Sequence, residues 1–133
     1  MLCVGVAEVK AFNNEYSCTA ESLTNVGFNP NSNIVETEAG KATQSNIVRL
    51  SGVLTRNVSV SGNAGSSQLG KVNETNNVIW FLEIAPAGTI MWTLFEEDNR
   101  WPALYKARPV TLISTKSYDF GGAVSFTTFY TCK

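Results

Sequence analysis

Apolar and polar side chains alternate with period two through most of this chain, and no apolar stripe at helical spacing lasts longer than two turns. A period of two places successive side chains on opposite sides of an extended backbone, so the chain reads as all-β. The signal is strongest in NNVIWFLEI and TIMWTLFEE, which flank Ala85-Pro86-Ala87-Gly88. Proline presets φ there and glycine accepts a positive one, so the two segments form a hairpin. Val78, Trp80, Leu82 and Ile84 share one face, and Ile90, Trp92 and Leu94 share one face of the returning strand. Their neighbours Ile79, Phe81, Met91 and Phe95 are apolar too, which predicts a hairpin covered on both sides. Trp80 and Trp92 are expected in the interior, each indole N–H finding a partner at its margin.

A second hairpin is predicted from PVTLISTKSYDF and GAVSFTTFYTC, turning at Asp119-Phe120-Gly121-Gly122, with Val124, Phe126, Thr128, Tyr130 and Cys132 on one face. From Val48 to Val60 the even positions are mostly apolar, which predicts one long strand bent at Gly52. Arg56, the one charge on that face, is expected at the sheet margin or against a buried carboxylate. Residues 21 to 46 and 63 to 76 are rich in Asn, Ser, Thr and Gly and read as exposed connectors, the first holding a short helix or an edge strand. With 133 residues the chain is the size of one domain, and about seven or eight strands point to a single-domain antiparallel β-sandwich or small β-barrel.

Three cysteines are present. Cys18 and Cys132 lie in the matching contexts EYSCTA and FYTCK, each two residues after a tyrosine, and are expected to form a disulfide that ties the start of the domain to its end. A disulfide implies an oxidising compartment, so a secreted or periplasmic location is expected. The opening segment, residues 1 to 11, is either a signal remnant or a first strand, because its apolar run LCVGVA is short and no basic stretch precedes it. Two N-x-[ST] sequons, at Asn57 and Asn73, matter only if the chain passes through a glycosylating pathway.

What the chain lacks narrows its chemistry. It has no histidine, so His-activated nucleophiles and His-based zinc sites are excluded, and no Gly-rich phosphate-binding signature occurs. No metal ligand set and no cofactor are expected. Ten basic against eleven acidic residues give a net charge of −1, which argues against nucleic acid as partner. No apolar run approaches the roughly 18 residues needed for a membrane-spanning helix. Were the chain an enzyme, Glu83, Glu96 or Asp119 would have to act without imidazole; Glu96-Glu97-Asp98 reads instead as a solvated turn.

The remaining feature is RWPALYKARP, residues 100 to 109. Each proline removes a backbone donor and pushes its predecessor extended, which predicts an edge-like strand. Arg100, Lys106 and Arg108 share one parity, and Trp101 and Tyr105 share the other. Arg100, Trp101, Tyr105 and Arg108 are of the types that anchor protein interfaces. The sequence therefore favours a non-catalytic domain that binds another protein. The alternative is a small-molecule or carbohydrate-binding barrel in which Trp80 and Trp92 line the cavity.

Overall fold

The computed structural model describes residues 12–29, 31–32, 34–42, 46–63, 65–85, 88–97, 109–119 and 123–133. Their strands, in chain order, are β1 (Glu15–Asn29), β2 (Ile34–Lys41), β3 (Ile47–Ser51), β4 (Val58–Gly62), β5 (Gly65–Glu74), β6 (Val78–Ala85), β7 (Gly88–Phe95), β8 (Val110–Asp119) and β9 (Ala123–Cys132). Every pairing is antiparallel, and β3 to β9 follow one another as neighbours. β1 pairs with both β3 and β9, which closes eight strands into a barrel, and β2 is the extra strand. Of the two architectures open to the sequence, the barrel is the one adopted.

One edge of β1 is shared by two partners in series. Its first part, Glu15 to Thr19, pairs with β3, and its second, Ser22 to Asn29, pairs with β2. A bulge between Ala20 and Ser22 lies at the changeover, and the Glu21 carbonyl there accepts from Ala42 N–H. An extra residue bends a strand, and here the bend lets β1, β2, β8 and β9 run past the barrel wall as a small sheet. Cys18 faces Cys132 across the β1–β9 seam and is bonded to it.

The inner face follows from register. Tyr16, Cys18 and Ala20 on β1, Val48 and Leu50 on β3, Val58 and Val60 on β4, and Leu69 on β5 are buried. Ile79 and Phe81 on β6, Trp92 and Leu94 on β7, Leu112 on β8, and Tyr130 and Cys132 on β9 complete the lining. Directly opposed residues in an antiparallel pair point to the same side, so these buried residues mark one continuous lumen.

Three expectations are corrected. The run from Val48 to Val60 is not one strand but two, because Gly52 turns with φ of 72° and β3 and β4 then pair with each other. Arg56 is exposed in that turn, with no burial to offset. Residues 21 to 29 and 65 to 74, expected as connectors, are strands; β5 buries only Leu69, so its polar outer residues left no apolar alternation to detect. On β6 the buried parity is Ile79, Phe81 and Glu83, which puts Trp80 half-buried on the outside.

Candidate functional site: the barrel mouth

The two ends of the barrel differ. At one end lie the β3–β4 turn, the β5–β6 turn and the starts of β1 and β8. Phe12 and Val53, both outside the strands, are buried there as part of the core. Val53 is held by its N–H to the Asn14 carbonyl, Leu54 N–H donates to Asn14 Oδ1, and the Lys71 ammonium donates to the Val53 carbonyl at 3.1 Å. Asn13 N–H donates to Tyr16 Oη at 2.7 Å. Burial raises the Tyr16 pKa, the Asn13 bond opposes that, and the Glu96 charge adds to it.

At the opposite end, where β4 meets β5 and β6 meets β7, the lumen opens into a cavity of about 500 Å³. Val48, Val60, Ile90 and Trp92 form apolar wall, while Asn46, Ser61, Asn63 and Ser67 supply neutral polar groups towards the rim. The volume lies within the ordinary range for small-ligand sites. Glu83 also lines it, at 8% exposure, and is the buried charged residue of the core among those described.

Local sequence explains why a carboxylate is tolerated there. β6 is apolar on both faces, so its parity is set by its neighbours across the hairpin: Ile79 opposes Leu94, Phe81 opposes Trp92, and Glu83 opposes Ile90. One pair further along, the Trp92 indole N–H donates to Glu83 Oε1 at 2.8 Å. A hydrogen bond to an ionised acceptor is stronger than a neutral one and fixes the carboxylate's orientation. Trp92 is held in turn by Tyr130, whose ring centre is 6.0 Å away with the planes tilted by 34°. Burial raises the Tyr130 pKa against the opposing effect of hydrogen bonds with Ser114 and Thr128.

Lys116 shares the inner-face row that runs from Glu83 through Ile90 to Lys116, Phe126, Asn25 and Glu38. It is not among the described residues that line the cavity, and it makes an interaction of its own. Across the row, Glu83 and Lys116 are two strands apart, roughly 10 Å between backbones.

A second, shallower groove of about 310 Å³ lies on the outer face of the sheet that overhangs the mouth. Val26, Phe28 and Val35 line it at 37%, 40% and 59% exposure, beside Ala123 and Ser125. β2 pairs only with β1 among the described residues, so its far edge adjoins this groove.

Of the residues singled out in the sequence, Cys18 and Cys132 are bonded as expected. Arg100, Trp101, Tyr105 and Arg108 lie outside the described residues, as does the opening segment, residues 1 to 11; the flanking Pro109 is exposed. Trp92 lines the cavity but Trp80 does not, so the two tryptophans do not share a site. Glu96 is half-buried beside the closed end, its N–H donating to the Asn77 carbonyl. The Glu83 and Trp92 pairing escaped sequence reading because a charged residue in an apolar strand is ordinarily assigned to the outer face; the available signal was an indole on the facing strand able to satisfy it. No protein-family model, no curated protein and no solved structure matches the chain.

Proposed function

We propose that the protein is a non-catalytic binding domain whose barrel mouth takes up a small ligand. The observation that carries this reading is the cavity of about 500 Å³ with a buried, oriented carboxylate in its wall. Ligand sites combine an apolar surface with a few fixed polar groups, and the mouth has that composition. Export to an oxidising compartment belongs to the same proposal, supported by the Cys18–Cys132 bond.

The test uses the emission of Trp92 in a Trp80→Phe, Trp101→Phe background. Titration with a panel of amines, glycosides and fatty acids is expected to shift or quench Trp92 with at least one class, saturably. A folded protein whose Trp92 emission is insensitive to every class contradicts the reading.

A protein partner is the second reading, favoured by the exposed Val26, Phe28 and Val35 groove next to the β2 edge. A polypeptide that extends the sheet at β2 would cover that groove, since an edge strand offers backbone groups for pairing. Arg100, Trp101, Tyr105 and Arg108 are further candidate contacts under this reading. It expects Val35→Ser with Phe28→Ser, or Trp101→Ala, to weaken partner capture while the circular dichroism spectrum stays native. Unchanged capture by both variants contradicts it.

A further inference from the structure

Resting on the mouth as a ligand site, we infer that its occupant is an organic cation, an ammonium group on an apolar stem, with Glu83 as its counter-charge. Among the described residues that line the cavity, Glu83 is the one with a formal charge, and no cation lines it. A site of this polarity repels phosphates and fatty-acid carboxylates and attracts positive charge.

The carboxylate is also held in place by a neutral donor. Its Oε1 accepts the Trp92 indole N–H, whereas the Lys71–Glu74 ion pair lies towards the closed end. A neutral donor does not restore the hydration that a carboxylate loses on burial, and a cation offsets more of that loss. An ammonium at the carboxylate would supply both a donor and a counter-charge from within the cavity. Val48, Val60 and Ile90 would then cover the stem that carries it. Trp92 acts here as a positioning residue: by holding Oε1 it fixes the carboxylate in the cavity wall.

A neutral polyol is the competing occupant, since hydroxyls can also donate to the carboxylate and exchange bonds with Asn46, Asn63 and Ser67. The two are separated by isothermal calorimetry on the intact protein near neutral pH with benzylamine hydrochloride, benzyl alcohol and methyl glucoside. The inference expects benzylammonium to bind at least about tenfold more tightly than benzyl alcohol, the difference expected of a hydrogen bond to a charged group. It also expects Glu83→Gln to remove most of that preference, by weakening benzylammonium far more than benzyl alcohol. Equal binding of the two benzyl compounds, or tighter binding of the glucoside, overturns the inference while the mouth remains a ligand site. Heat from none of the three, together with an insensitive Trp92, overturns both. If Glu83→Gln does not fold, the ratio of the benzyl compounds on the unaltered protein decides the matter alone.

Discussion

At one end of this barrel a cation braces a closed turn, and at the other an anion lines an open cavity. Lys71 turns towards the closed end, donates to the Val53 carbonyl and meets Glu74 at 3.2 Å, so its charge and its donors serve the stopper. Glu83 sits on the next strand, accepts from Trp92 through one oxygen and lines an open cavity. The same eight strands build both ends. The difference lies in what the chain places across each opening: Phe12 and Val53 plug the first, while small and polar residues, Gly62, Gly65, Ser61 and Asn63, surround the second. A stopper contributes stability; on the proposed reading, a gap lined by an oriented charge contributes affinity for a ligand. The closed end should therefore be sensitive to substitution in stability, and the mouth in binding.

The largest expected effect is at the seam that joins the strands. Cys18 and Cys132 are separated by 114 residues, and the loop-entropy relation assigns a bridge of that span about 4 to 5 kcal/mol. Cys18→Ser with Cys132→Ser should lower stability towards that amount in a urea titration, and binding at the mouth should persist wherever the variant is still folded. Loss of ligand binding from a folded variant would mean that the seam shapes the cavity as well.

Next comes Gly52, which starts the closed-end turn. Its φ of 72° is a conformation that side chains resist, and a Cβ there would run into the Asn57 carbonyl oxygen. Gly52→Ala should cost about 2 to 3 kcal/mol by chemical denaturation. An equal cost for Gly62→Ala at the mouth, where a Cβ meets its nearest atom, Val48 Cγ1, at 3.4 Å, would erase the contrast between the ends.

A smaller effect follows from the two buried tyrosines. Both have pKa values raised above 10.0, chiefly by burial. Below the unfolded value each is protonated in both states and stability is unaffected. As pH rises past it, the unfolded chain ionises while the barrel still holds its protons, so stability falls until the folded pKa is reached. Denaturation midpoints between pH 8 and pH 11 should decline, on the pH scale set by that reference value, and less steeply for Tyr130→Phe. A flat profile would show that neither hydroxyl is as enclosed as Tyr16 and Tyr130 are here.

The smallest effect on stability is expected at the mouth itself. In Glu83→Gln an amide oxygen can still accept from Trp92, and the weaker neutral hydrogen bond is offset by the smaller desolvation of an amide, so stability should change by less than about 1 kcal/mol, in either direction. A loss of several kcal/mol would mean that Glu83 is a structural partner of the core and not a residue held ready for a ligand.

Most of the architecture was legible because the strongly alternating segments are the ones that line the lumen. The hairpin at 85 to 88, the pairing of 110–119 with 123–132 and the bridge between the two Tyr-x-Cys segments all follow from period and spacing. Polar strands were not legible. β5 and the outer half of β1 are strands because their neighbours offer a backbone edge, a property of the partner and not of their own side chains. The site was half legible: Trp92 reads as interior and as a cavity-lining candidate, but Glu83 could be placed inside only once its parity on β6 was known. Where both faces of a strand are apolar, alternation cannot say which one is the core.

The most direct measurement is a map of backbone amide shifts on addition of benzylamine hydrochloride to the isotopically labelled protein. The account predicts saturable changes gathered at Val48, Val60, Glu83, Ile90 and Trp92, with Phe12, Val53 and Lys71 unmoved. Saturable changes gathered at the closed end, or changes spread over the surface without saturation, would contradict it.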